Sequence, residues 1–442
     1  MKKNFEALVQ FALDEAKKLG ASQSVAEVSE SSGLSVTARK GKVETVEKTN
    51  DCSLGITVYK GKARASASTS SLDKDAIKTT VKAAWDIAQY TAEDEFAGLP
   101  DKEDLATKFP DLKLYKPWDI SSQEAIDLAI EVEDAALSYS SDITNSDGGS
   151  INTSSGRFVL ANSHGFMAGY PYSNHGMSVV VIAGKGQKMQ RDYWYTSDRY
   201  PERLAKPKAV GEYAAQRALA RLGASRLPTG KYPVLFEAPL AIGLLGAFTQ
   251  AISGGALYRK SSFLCDSLDT QVMAEHLNII DDPFIKGAMG SSAFDEEGVR
   301  TQKRQLLENG ILRGYLLSTY TARKLGMRTT GNAGGSHNLS ITSSLTKKQD
   351  SFEQMLRKMG TGLLVTDLMG QGVNYVTGDY SRGAFGYWVE NGIIQYPVQE
   401  ITIAGNLKDM FRQIVAIGSD TYTRGSKTSG SILIEQMSVA GI

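Results

Sequence analysis

The chain has 442 residues, roughly two to three average domains and ample for a large core. Its 49 Lys and Arg balance 49 Asp and Glu, with the signs mixed along its length. No basic stripe or tail collects phosphates, so nucleic acid is not an expected partner. Two distant cysteines, Cys52 and Cys265, exclude a disulfide framework and read as small buried residues of a reducing compartment.

The opening Met1-Lys-Lys-Asn-Phe-Glu6 leads into a charged amphipathic helix rather than a signal peptide. Apolar residues at Phe5, Leu8, Ala12, Ala16 and Leu19, stopped by Gly20, predict that helix over 5–19. Short alternating segments follow at Leu34–Ala38, Val43–Lys48, Leu54–Tyr59 and Ala63–Thr69, a β-meander with turns at Lys40-Gly41-Lys42 and Lys60-Gly61-Lys62. A second helix is expected over Leu72–Tyr90, then a Pro-rich charged linker from Ala97 to Trp118.

The pattern then starts again. Ser121 to Glu124 is a capping-box signature for a helix reaching about Leu137. Strands are expected at Ser155–Ala161, Phe166–Tyr170, Met177–Ala183 and Gln187–Thr196, and a helix at Ala209–Leu222. The expected fold class is α+β: an N-terminal domain, 1–227, of helices packed on β-meander sheets, with duplicated helix–meander–helix units at about 1–96 and 119–223. Pro228-Thr-Gly230 marks the boundary of a C-terminal domain, 228–442, mostly antiparallel β around a buried helix at Pro239–Ile252. The most apolar stretch, Ala238–Ile252, is too short to span a bilayer, so no membrane partner is expected and a soluble cytoplasmic protein is. Asn391-Gly392, between segments Ala384–Glu390 and Ile393–Val398, fits a type I′ hairpin turn, and Glu308-Asn-Gly-Ile311 repeats the phrase.

Hydrolytic zinc is held most economically by two His on one helix with a Glu beside the first. The four histidines, His164, His175, His276 and His337, form no HExxH or HExxxH motif. No GxSxG elbow, Cys-His pair or Walker A loop is present, and Gly331-Asn-Ala-Gly-Gly335 lacks the Lys-Ser/Thr of a phosphate loop. His337, in a glycine-rich loop with Asn338, is the histidine best suited to face a groove. Glycines recur at Gly370, Gly372, Gly378 and Gly383, a pattern suited to close approach by another backbone or a substrate. Asp379, Tyr380, Ser381 and Arg382 lend that segment polar handles. Gly370–Gly383 and Gly331–Asn338 are therefore the expected walls of a peptide groove or a partner-facing surface, binding main chain by strand addition.

Several phrases in order carry a family resemblance over nearly the whole chain. They are Asn162-Ser-His-Gly165, Ala251-Ile-Ser-Gly-Gly255, Tyr258-Arg-Lys-Ser-Ser-Phe-Leu264, Gly298-Val-Arg-Thr301, Gly331–Asn338 and the block Met359–Met410. In them the sequence resembles the TldD/PmbA family, its PmbA (TldE) branch in particular. The resemblance implies a zinc-dependent peptidase built from two related subunits, in which the TldD-type subunit carries HExxxH on the helix after the central boundary and a Cys near its C-terminus. This chain departs from that pattern at every ligand: Gly246-Ala247 fall over the His-Glu pair, Ala251 over the second His, and Gly418–Ser431 contains no Cys. No catalytic or metal residue is carried over, and no cofactor is expected on this chain, zinc being expected on the TldD-type partner.

The expected function is thus a non-catalytic partner in a heterodimeric metallopeptidase, acting on extended peptides, unfolded small proteins and peptide-antibiotic precursors. An isolated chain would bury its partner surface in a homodimer. Two alternatives stay open. One is a self-sufficient hydrolase using Asp192 or Glu237 with His164 or His175; the other is a regulatory binding protein of the DNA gyrase modulator kind.

Overall fold

A computed structural model describes residues 4–441, so Met1–Lys3 of the opening segment and Ile442 lie outside the described residues. The chain is α+β and divides into two compact units. The first comprises residues 1–219, 286–301 and 318–333; the second comprises 220–285, 302–317 and 334–442. Elements are numbered in chain order.

The first unit opens with α1 (Phe5–Lys18), capped by Asn4 and burying Phe5, Val9, Ala12, Leu13 and Ala16. Strands β1 (Gln23–Arg39), β2 (Lys42–Lys60) and β3 (Ala63–Thr69) and helix α2 (Lys74–Ala88) follow. The order then repeats: α3 (Ser122–Leu137), β4 (Ile143–Asn162), the short β5 (Met167–Ala168), β6 (Pro171–Ala183), β7 (Gln190–Asp198) and α4 (Pro207–Ala220). The Ser121–Glu124 capping box is formed at both of its hydrogen bonds. All these strands join one seven-stranded sheet of order β3-β2-β1-β4-β6-β7, with β5 on β4.

Segments expected as separate strands at Val43–Lys48 and Leu54–Tyr59 are one 19-residue strand, β2. Residues 42–51 are exposed, so no alternation of burial marks them as strand. The pairing of β2 with β1 along its full length carries them instead. Cys52 and Cys265, expected to be buried, are half-buried free thiols.

Segments 286–301 and 318–333, on the C-terminal side of the expected boundary at 227/228, cluster with the first unit. Phe294 explains the first of them. It packs edge-on against Phe166 (5.0 Å between centroids), Tyr170 (5.6 Å) and Phe158 (6.1 Å), in a core shared with Leu105, Leu112 and Leu160. The second segment contains α7 (Thr319–Lys324).

The second unit begins with β8 (Gly230–Phe236), α5 (Ala238–Ala251) and α6 (Gly254–Tyr258). A six-stranded sheet of order β11-β10-β9-β12-β18-β17 uses β9 (Leu277–Asp282), β10 (Arg304–Glu308), β11 (Ile311–Leu312), β12 (Asn338–Ser343), β17 (Tyr422–Arg424) and β18 (Lys427–Ser429). The other sheet runs β15-β14-β13-β8-β19-β16, from β13 (Gly362–Met369), β14 (Asp379–Glu390), β15 (Ile393–Asn406), β16 (Ile414–Ile417) and β19 (Ile432–Ala440). Pairing of Thr402–Ala404 on β15 with Ser438–Ala440 on β19 closes five of these strands into a barrel. Helix α8 (Phe352–Met359) precedes β13 and α9 (Leu407–Arg412) follows β15.

Both Asn-Gly hairpins form as expected. Asn309-Gly310 and Asn391-Gly392 have positive φ at both residues, the type I′ signature. Helix α5 is the expected buried helix, with Ala241, Leu245, Phe248 and Ala251 at 1% exposure or less. No described helix is long and apolar enough to cross a membrane.

Candidate functional site

All four imidazoles are structural stitches. His175 donates from Nε2 to the Lys116 carbonyl (2.8 Å), which leaves Nδ1 to accept from the Thr153 hydroxyl (2.8 Å). His276, in the turn before β9, donates from Nε2 to the Ile414 carbonyl and accepts at Nδ1 from Ser343, both at 2.8 Å. His164 donates from Nδ1 to the Pro100 carbonyl (2.8 Å), with its Nε2 3.2 Å from the Gln23 amide. Each of these three rings has both nitrogens engaged within the protein. Asp192 faces Arg217 at 3.4 Å and accepts from the Tyr193 N–H.

His337 is buried rather than groove-facing. Its backbone N–H and its Nδ1 both donate to Asp281, at 2.7 and 3.1 Å, and Asp281 has no exposure at all. Asn338 opens β12 and donates from its side chain to the Asp282 carbonyl (2.7 Å). The two residues fasten β12 to β9.

The Gly370–Gly383 segment folds back on its own strand. The Ser381 N–H donates to the Gly372 carbonyl (2.7 Å) and the Asn374 N–H to the Asp379 carbonyl (2.8 Å). A Cβ on Gly372 would lie 1.7 Å from the Ser381 carbonyl oxygen, so the close approach that requires this glycine is by backbone. Strand β14 is paired with β13 on one side and β15 on the other, which leaves it no edge for the strand addition expected there. Gly370, at φ +79°, turns the chain out of β13. Asp379 accepts from Thr377 (2.6 Å) and Asn406 (3.1 Å), and the Thr377 hydroxyl foremost holds its carboxyl below the ordinary range. Ser381 is exposed.

Tyr380 and Arg382 do meet a site. Helix α5 leaves β8 at the end where β13 also finishes and β14 begins, and a cavity of about 110 Å³ lies among them. Leu240, Gly243, Leu244 and Ala247 of α5 form its floor, and Gln371, Val373, Tyr375, Tyr380 and Arg382 are among its walls. Of the helix positions matched to the metal motif, Ala247 lines it; Gly246 and Ala251 do not. Burial pushes the Tyr380 hydroxyl up to about 12, against the pull of neighbouring Arg382. The Arg382 Nε is buried and finds no hydrogen-bond partner among the described residues. The α5 residues of this lining escape sequence reading because an apolar helix resembles core. The available signal was Gly243, a glycine inside a helix, where an added Cβ would meet nothing within 4 Å.

In the first unit, Asp295 is 5% exposed and accepts from the N–H groups of Glu297 (2.9 Å), Val299 (2.9 Å) and Ala333 (3.0 Å). Burial nonetheless pushes its carboxyl up from 3.8 to about 7. The folded chain therefore holds a proton that the unfolded chain releases. That stabilisation is complete below the unfolded value and is lost as pH rises through the folded one. Urea titrations should show wild type losing about 2–3 kcal/mol relative to Asp295→Asn between roughly pH 5 and pH 8. A pH-independent difference would refute the shift.

Comparison with known proteins gives the same family along the chain. Profiles of the PmbA/TldA metallopeptidase match as domain 1 over residues 26–88, central domain over 115–222 and C-terminal domain over 229–441. Metalloprotease PmbA of Escherichia coli O157:H7 is 49% identical over 440 residues, covering 100% of this chain and 97% of that one. A PmbA homolog of Haemophilus influenzae is 48% identical, covering 98% and 95%. A crystal structure from Bacteroides thetaiotaomicron, described as a proposed modulator of DNA gyrase, superposes with TM-score 0.94 at 29% identity over 100% of both chains. TldE from Thermococcus kodakarensis shares the fold, with TM-score 0.84 at 20% identity over 98% of this chain and 100% of that one. This chain belongs to the PmbA/TldD metallopeptidase family.

Proposed function

We propose that this chain is the non-catalytic subunit of a two-subunit zinc metallopeptidase. It pairs in the cytoplasm with a TldD-type chain that carries the zinc, and together they act on extended peptides, unfolded small proteins and peptide-antibiotic precursors. On its own it self-associates as a two-fold dimer. The observation that carries this reading is the chemistry of the cavity at α5. Zinc needs three or four imidazole, thiolate or carboxylate donors at about 2.0–2.3 Å. Among the described residues this cavity is lined by aliphatic and aromatic groups, one amide and one guanidinium, without His, Cys, Asp or Glu. A fixed guanidinium repels a dication. These residues do not fit zinc.

The test compares the isolated chain, a TldD-type subunit and their mixture for bound metal and for cleavage of an unstructured peptide. The isolated chain should hold no stoichiometric zinc and cut nothing. The mixture should co-elute as a complex and cleave until a chelator is added. An isolated chain that retains about one zinc and cleaves until chelated overturns the proposal.

A further inference from the structure

We propose that the cavity between α5 and the start of β14 is a binding site for an aliphatic carboxylate, seating the anion on Arg382 and a small branched side chain on Leu240, Leu244 and Ala247. The charge balance comes first. Arg382 is the one charged residue among those lining the cavity. Its buried Nε lacks an acceptor among the described residues, and a buried donor left unmet is costly unless a ligand meets it. Guanidinium groups match carboxylates in shape and charge, and such charge-assisted bonds are the strong ones.

Tyr380, 4% exposed and beside Arg382, keeps its phenol protonated and so supplies a second donor to the same anion. Apart from the Gln371 amide and the Tyr375 phenol the rest of the lining is apolar, and the α5 side of it selects a hydrocarbon beside the charge. Size limits it further. At about 110 Å³ the cavity is smaller than the roughly 150 Å³ known to accept benzene, which suits a branched aliphatic group better than an aromatic ring. Gly243 is exposed, and an added Cβ there would meet nothing within 4 Å, so the mouth beside the helix is open. One guanidinium over an apolar floor favours a carboxylate over a phosphate.

Two sources share this chemistry: the C-terminus of a peptide ending in a branched aliphatic residue, and a free branched-chain acid. Calorimetric titration of the full chain with N-acetyl-Ala-Leu, with its C-terminal amide and with isovalerate separates them. The acid should bind, with the amide weaker by about tenfold or more, the loss of one charge-assisted contact. Isovalerate matching the dipeptide assigns the site to free acids; dipeptide binding with little isovalerate binding assigns it to peptide termini. Arg382→Gln should abolish binding of the acid, and Ala247→Leu should do so by filling the floor, each with a wild-type circular dichroism spectrum. Equal affinity for acid and amide in wild type, or no binding of any of the three at millimolar concentration, overturns the proposal without any variant. Binding is read on this chain alone, so its failure leaves the subunit proposal standing, and the reverse holds.

Discussion

Asp281→Ala should be among the most damaging single substitutions in this chain, lowering the unfolding free energy by about 3–5 kcal/mol. Asp281 lies on β9, the strand between β10 and β12, and is wholly inaccessible. It opposes Arg304 on β10 and Leu339 on β12 in the strand register. Burial pulls the Arg304 guanidinium below its ordinary range, and the Asp281 charge opposes that pull. The same carboxylate receives two hydrogen bonds from His337. Removing it strips a buried cation of its counter-charge and orphans two donors together. Asp281→Asn retains an acceptor but not the charge, and its loss should be smaller, about 1–3 kcal/mol. Urea unfolding of the full chain, followed by circular dichroism, measures both. A loss under about 1 kcal/mol for Asp281→Ala would mean that the carboxylate is not holding this sheet together.

That prediction also marks a limit of sequence reading. Asp281 sits in Leu277-Asn-Ile-Ile-Asp-Asp282, where a charged pair ending an apolar run looks like a strand terminus facing water. What buries it is β12 beside it, brought by residues more than fifty positions away. His337 was legible as a polar ring among glycines, but its partner was not, so a stitch looked like a groove residue. Local signals did better. The capping box at Ser121, the Asn-Gly turns and the repeated helix–meander–helix order follow from short-range chemistry and appear where they should. Phe294 shows the opposite case. Nothing near it announces that it completes an aromatic cluster with Phe158, Phe166 and Tyr170, and with it the segment 286–301 joins the first unit. At the candidate site the sequence offered Tyr380 and Arg382 as handles, but only the path of β8 into α5 sets them against Leu240 and Ala247.

Writing the missing motif into α5 should not create a zinc site. The triple variant Gly246→His, Ala247→Glu, Ala251→His is expected to lose about 2–5 kcal/mol of stability and to retain no stoichiometric zinc. The three positions meet different surroundings. An added Cβ on Gly246 would contact nothing within 4 Å, so a side chain can start there without a clash. Ala251 is 0% exposed, and its carbonyl accepts from the Ser262 hydroxyl (2.5 Å). A ring placed there overpacks the core by several heavy atoms and buries polar nitrogens, each effect costing about 1–3 kcal/mol. Ala247 faces the cavity that Arg382 also lines, so a carboxylate introduced there meets a guanidinium before it meets a metal. Ion pairing would engage the carboxylate that the motif uses as general base, and no thiolate or carboxylate lines the cavity as a third ligand among the described residues. Metal analysis after gel filtration, with a denaturation curve on the same sample, decides the matter. A triple variant as stable as wild type and carrying about one zinc per chain would show that α5 is built to ligate and had merely lost its side chains.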